Sequence, residues 1–238
     1  MKSVQQRLSA LREAMKKHGV DAFVIPSADP HLSEYLPEHW QARRDFSGFT
    51  GSAGTLVVTA DKAGVWTDSR YWEQAGQQLA PNGIELQKMG VDVPYTEWLA
   101  QNLSEGAVVG APPADMFALS GERGLKQALA AKNIRLEYPE TLLDEVWDDR
   151  PALPTPEIYV HHPDYVSETA AEKLARIRVA MKEQGADAHL VSSLDDIAWI
   201  TNLRGDDVPF NPVFLSHLFI SQDKAVLFTD AGRLKAES

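Results

Sequence analysis

The sequence has no cysteine. No disulfide can staple it, and no thiolate can act as nucleophile or metal ligand. Long apolar runs are also missing. Strings such as Leu56 to Val58 fall far short of the roughly 20 residues that cross a bilayer as a helix. The opening MKSVQQRLSALREAM reads as an amphipathic polar helix, not as a secretory leader with a continuous apolar centre. Basic residues are in deficit, 23 against 34 acids, for a formal net charge of −11. Binding nucleic acid needs a basic surface that displaces counterions, so no nucleic-acid partner is expected. Arg43 and Arg44 are the only adjacent arginines and read as a solvated pair at a helix end. Together these absences point to a cytoplasmic protein with no membrane partner.

Catalytic signatures are scarce as well. No serine stands in a G-x-S-x-G elbow. The seven histidines contain no pair at i and i+4 with a neighbouring acid, the spacing of a zinc helix. His161 and His162 are neighbours, and neighbours in an extended segment point to opposite faces. Asp195-Asp196 and Asp206-Asp207 read as solvated loop acids. Gly48, Gly51 and Gly54, spaced three apart, invite a phosphate cradle. Such cradles open a helix, whereas these glycines lead into the apolar strand TLVVT, so they read as a tight turn. No catalytic residue, metal ligand or cofactor is therefore assigned to this chain.

What is present is a repeat. Leu8 to Asp29 reads LSALREAMKKHGVDAFVIPSAD, and Leu174 to Asp195 reads LARIRVAMKEQGADAHLVSSLD. At a shift of 166, Leu8, Arg12, Met15, Gly19, Asp21 and Asp29 fall on Leu174, Arg178, Met181, Gly185, Asp187 and Asp195. One structural unit is built twice. In the first copy Val4, Leu8, Leu11 and Met15 form one helical stripe, Gly19 ends it, and Ala22 to Pro26 follows as a buried strand. Thr169 and Glu172 precede the second stripe at capping-box spacing. The strand Thr55 to Thr59, a turn at Asp61 to Gly64 and the strand Val65 to Thr67 form a hairpin, and Asp68 can cap the helix from Ser69 to about Leu79. The hairpin recurs as Leu218 to Ile220 and Ala225 to Asp230, at a shift of 162.

Further strands are expected at Ile84 to Leu86 and Ala107 to Gly110, and helices at Thr96 to Asn102 and Gly121 to Ala131. A helix break is expected near Pro37. The alternation indicates an α/β protein of two consecutive units, each a mixed sheet flanked by helices. Arg150 to Pro163 holds four prolines and reads as the linker, with a boundary near Pro154. The second copy has about half the length of the first, so it is expected to be incomplete and the chain to be a piece of a longer protein. Its apolar residues Val226, Leu227 and Phe228 would then fray or be completed by another chain, a homo-oligomer included.

The strings PSADPHLSEY (26 to 35), SGFTGSAGTLVVT (47 to 59) and WTDSRYWEQA (66 to 75) strongly resemble the N-terminal domain of the large three-domain Xaa-Pro aminopeptidases. The second copy continues the resemblance with Asp195 to Trp199, then Asn202-Leu203-Arg204-Gly205, Asp207 and Asn211 to Phe214. The resemblance implies two creatinase-N-like domains, 1–154 and 155–238. It also implies a catalytic domain beyond this sequence that holds two divalent metals, usually manganese. It implies that the chain is inactive alone, packs on its own catalytic domain and shapes access for short proline-containing peptides. The loop Asn202 to Asn211 would face the catalytic domain, with Arg204, Asp207 and Asn211 as candidates at the access route. Asp68, Arg70 and Tyr71 would be architectural, as would Gly48, Gly51 and Gly54. The rival reading is a free-standing peptide- or protein-binding module.

Overall fold

A computed structural model describes residues 2–235, in two compact units that meet between Pro151 and Ala152. In the first unit α1 spans Val4–His18, β1 Ala22–Pro26, α2 Ala42–Ser47, β2 Thr55–Thr59 and β3 Ala63–Thr67. There follow α3 (Trp72–Leu79), β4 (Glu85–Lys88), α4 (Tyr95–Asn102), β5 (Val108–Gly110), α5 (Leu119–Ala130), β6 (Arg135–Glu137) and α6 (Leu142–Val146). The six strands form one mixed sheet in the order β4-β3-β2-β1-β5-β6. Strands β1 to β3 pair antiparallel, and β4, β5 and β6 join their neighbours in parallel.

Both faces of this sheet are covered. Phe23, Ile25, Leu56, Val58 and Val65 point to one face and pack with Leu8, Leu11 and Met15 of α1, Phe46 of α2 and Leu79 of α3. Ala22, Val24, Val57 and Trp66 point to the other and pack with Leu99 of α4 and Leu125 and Leu129 of α5. Each such side chain is worth roughly 1.5–3 kcal/mol when buried. A capping box between Ser3 and Gln6 starts α1, and Gly19 closes it in the left-handed conformation at φ 66°.

The second unit has β7 (Tyr159–Val160), α7 (Ala170–Glu183), β8 (Ala188–Val191), α8 (Leu194–Thr201), β9 (Leu203–Arg204), β10 (His217–Ser221) and β11 (Ala225–Phe228). Its sheet runs β11-β10-β8, antiparallel throughout, and matches β3-β2-β1 of the first unit. A separate ribbon pairs β7 with β9. The repeat extends to hydrogen bonds. Arg12 Nε donates to Thr59 O at 2.9 Å, and Arg178 Nε donates to Ser221 O at 2.8 Å. Thr67 Oγ1 donates to Ala53 O at 2.7 Å, and Thr229 Oγ1 to Leu215 O at 2.9 Å. Asp68 caps Arg70 N as Asp230 caps Gly232 N.

The units differ on one sheet face. Val24 and Trp66, 0% and 2% exposed in the first, correspond to Leu190 and Phe228, 61% and 56% exposed in the second. Leu190, Phe219 and Val226 lie in one cross-strand row on that face. Among the described residues no helix of the second unit corresponds to α4 or α5.

Several local expectations need correction. The hairpin turn lies two residues earlier than Asp61 to Gly64, because Ala63 already pairs with Val58 and Thr59 N donates to Lys62 O at 2.9 Å. No helix lies between β1 and Pro37; a single 3-10 turn follows it at Glu38–Trp40, and α2 begins at Ala42. Arg43 is not solvated at a helix end but 5% exposed, because α2 turns it inward onto three oxygen acceptors.

Candidate functional site

Arg43 organises the glycine-rich segment of the first unit. Its Nε donates to Ser27 Oγ at 2.9 Å, Nη1 to Phe49 O and Nη2 to Gly51 O. The guanidinium also stacks 4.7 Å from the Phe49 ring. No carboxylate joins it. Burial, helped by the Arg44 charge, pushes Arg43 down to about 10, which still leaves it cationic at neutral pH.

The glycines make this fork possible. Gly48 closes α2 at φ 74°. A Cβ on Gly51 would stand 2.3 Å from Phe49 Cζ and 2.7 Å from Tyr71 Cδ1, so only glycine fits. Tyr71 meets Phe49 edge-on at 5.7 Å, and its hydroxyl lies 2.8 Å from Ser52 Oγ. Asp68 accepts Arg70 N at 3.1 Å and Arg70 Nε at 2.8 Å, and Arg70 holds its carboxyl below the usual carboxylate range. Asp68, Arg70 and Tyr71 thus meet Gly51 and Gly54 around Phe49, whereas Gly48 lies against Val4 and Asn82. Asp68 and Arg70 lie at the surface and satisfy each other.

In the first unit a cleft of about 210 Å³ lies among Trp40, Pro112, Pro113, Pro139 and Trp147. The Trp147 N–H is sealed from solvent and lacks an acceptor, so it offers nothing to a ligand in the cleft.

The loop after α8 carries the other three candidates, and the structure gives them separate surroundings. Asp207 is buried: its carboxylate accepts Leu215 N at 2.7 Å and both terminal nitrogens of Arg233, one at 3.1 Å. Arg233 in turn donates to Pro156 O at 2.8 Å, so Asp207 ties the loop to both ends of the unit. Asn211 is half-buried and reaches only Asp195 Oδ1, at 3.4 Å. Arg204 stands on β9, where its Nη1 donates to Ala198 O at 2.6 Å and to Leu203 O at 2.8 Å. Gly205 is required beside it, since a Cβ there would lie 2.7 Å from Phe214 Cβ.

Lys173 and Asn202 belong to the same corner, and Lys173 escaped the sequence reading. Lys173 Nζ donates to Trp199 O at 2.6 Å and to Asn202 Oδ1 at 2.5 Å. It is 5% exposed and sits 4.4 Å over the Trp199 ring. The available signal was a lysine placed on the apolar side of α7, four residues before Ile177. Asn202 is left-handed at φ 57° and ends α8.

Neither unit offers a donor set for a metal. Among the described residues no group of three or more His, Asp or Glu is close enough to hold one. The divalent metals implied by the resemblance do not fit the residues present here.

Residues 7–144 match a family described as Creatinase/Prolidase N-terminal domain, and residues 149–238 match a second family with that description. Aminopeptidase P2 of Arabidopsis thaliana is 41% identical over 240 residues, covering 98% of this chain and 34% of that protein. The fold matches a crystal structure of X-prolyl aminopeptidase from Caenorhabditis elegans with a TM-score of 0.90 at 31% identity. That match covers 100% of this chain and 40% of the other, a protein described as a cytosolic enzyme with a di-nuclear active site. The chain spans about a third of the length of the curated relatives it matches. Among the described residues no helix is long and apolar enough to cross a membrane.

Proposed function

The chain belongs to the creatinase/prolidase N-terminal domain family, and we propose that it is the non-catalytic N-terminal portion of a larger metal-dependent aminopeptidase. That enzyme removes the first residue from peptides with proline second. The observation that carries this reading is the match across nearly the whole chain to proteins about three times its length. Two divalent metals, manganese by resemblance, would be held in the catalytic domain of that enzyme.

In this reading residues 1–154 and 155–238 are two creatinase-N-like domains, the second continued by chain that follows. They pack on the catalytic domain and restrict access to short peptides. The loop from Asn202 to Asn211 faces that route. Asp207 holds its shape through Arg233, while Arg204 and Asn211 are half-buried beside it.

The test compares hydrolysis of a fluorogenic Xaa-Pro peptide, with manganese added, by this chain and by the protein of the full reading frame. Activity in the longer protein alone is expected. Cleavage by the 238-residue chain itself would refute the scaffold role. An inactive longer protein would favour a free-standing binding module.

A further inference from the structure

The charge around Arg204 is not closed by the protein. Nη1 spends its two hydrogens on Ala198 O and Leu203 O. Nε and Nη2 have no acceptor among the described residues, and neither is sealed from solvent. These two nitrogens form the edge of a guanidinium that grips a carboxylate with two parallel hydrogen bonds. Arg204 therefore keeps its carboxylate-binding edge unspent and unsealed, while two carbonyls fix the other side of the guanidinium.

The neighbours are cationic too. Lys173 bonds only neutral oxygens, and Arg176 lies 5.5 Å from the Trp199 ring that Lys173 also covers. Glu168 is the acid of this corner, and it is engaged by Arg176 at 2.8 Å. His161 joins the ribbon beside Arg204, its N–H donating to Asn202 O at 2.8 Å. Burial, then the charges of Arg204 and Lys173 together with neighbouring His162, hold His161 below its ordinary value.

The repeat sharpens the point. At the shift of 166, Lys173 corresponds to Arg7. Arg7 is equally buried, but it pairs with Asp149 through bonds of 2.8 and 2.7 Å. The first unit closes this position with a carboxylate, and the second leaves its cation with carbonyl and amide oxygens. In a chain of net charge −11, a corner with surplus positive charge needs a reason.

We propose that Arg204, supported by Lys173, is a carboxylate-binding site that takes the C-terminal carboxylate of a short peptide. The peptide as the source rests on the proposed function, whereas the carboxylate chemistry stands on the geometry. Exposed Trp199 and Tyr165 flank the corner and suit the apolar body of such a peptide.

The experiment titrates the 238-residue chain, with arginine Nε resonances observed by NMR, against Ala-Pro-Ala, its C-terminal amide and acetate. The free acid is expected to shift the Arg204 Nε resonance and to bind at least ~10-fold more tightly than the amide, the cost of losing a charge-assisted pair. Acetate should bind more weakly at the same resonance. Arg204→Gln should abolish the preference with an unchanged amide spectrum elsewhere, and Arg204→Lys should keep only part of it. Equal binding of acid and amide, or no shift at Arg204, would overturn the site. Acetate matching the tripeptide would overturn the peptide and leave an acidic side chain as the source. Peptide cleavage by the longer protein is a separate readout, so failure of the aminopeptidase reading would be seen independently.

Discussion

Replacing Gly51 by alanine tests the packing logic of the first unit. The new Cβ would lie 2.3 and 2.8 Å from two atoms of the Phe49 ring and 2.7 Å from the Tyr71 ring. Carbon atoms pack best at about 3.5–4.0 Å, so both rings must retreat by roughly 1 Å. Phe49 has nowhere to go: it is fully buried, with Arg43 on one face and Tyr71 edge-on. Overpacking of this kind costs about 1–3 kcal/mol. Moving the Gly51 carbonyl also weakens its bond from Arg43, a charged donor worth about 1.5–3 kcal/mol. A loss of about 2–5 kcal/mol is therefore expected. Gly19→Ala is the control, since φ is 66° there and no atom lies within 4 Å. It should lose only the left-handed strain of about 1–2 kcal/mol. Urea unfolding followed by tryptophan fluorescence reads this unit, because Trp40, Trp66, Trp72, Trp98 and Trp147 all belong to it. A Gly51→Ala protein within ~0.5 kcal/mol of wild type, or no weaker than Gly19→Ala, would refute the account.

The arginine that bonds a strand carbonyl in both units gives a paired prediction. Arg12→Ala and Arg178→Ala should each cost about 1.5 kcal/mol, the first seen by tryptophan fluorescence and the second by faster hydrogen exchange in β10; equal protection of β10 in Arg178→Ala would contradict it. Arg7 holds the Asp149 carboxyl below its usual range, chiefly by hydrogen bonding. A depressed carboxyl stabilises above its unfolded value near ~3.9 and loses that contribution as pH falls through the lower folded value. Asp149→Asn should therefore lower stability at neutral pH and flatten the decline below about pH 4, as read by thermal unfolding against pH; an unchanged acid limb would exclude the pair as its source. On the open face of the second sheet, Leu190→Gln with Phe228→Ser should remove binding of a hydrophobic dye to this chain while costing under about 1 kcal/mol, because both side chains are mostly in water. A large loss of stability would mean that the face is covered.

The helices and central strands were legible because their signals are local. The spacing of Val4, Leu8, Leu11 and Met15 defines a stripe, and the four-residue apolar run from Ala22 to Ile25 can only be a short buried element. The repeat carried that reading into the second unit. The strands β6, β7 and β9 and the short helices α2 and α6 escaped it, being two to six residues long and fixed by their neighbours. Arg43 shows why the corner was harder. Its acceptors come from Ser27, Phe49 and Gly51, on both sides of it in the chain, and no spacing rule joins them. Charge alone placed it at the surface, whereas the inward turn of α2 and the glycine at 51 placed it inside. Arg7 and Lys173 were readable in principle. Each is a cation on the apolar side of an otherwise amphipathic helix, and each must find oxygen partners once buried.

Those two cations show how the copies divide their tasks. What recurs at the fixed shifts is architecture: the carbonyl bond from Arg12 or Arg178, the threonine bond closing the hairpin, the aspartate cap after it. A feature needed to build the unit appears in both. A feature in one copy alone answers a demand that the other does not share. The first unit adds the Arg43 fork, engages all three of its nitrogens with its own oxygens and closes Arg7 with Asp149. Its distinctive chemistry is turned inward. The second unit leaves Lys173 without a carboxylate, leaves two nitrogens of Arg204 without an acceptor among the described residues and keeps Leu190 and Phe228 in water. A donor reached by water is hydrated at no cost, whereas bare apolar surface leaves hydrophobic free energy ungained until something covers it. The departures from symmetry therefore set the open donors and bare apolar face of the second unit against a first unit whose own departures are closed by its own oxygens.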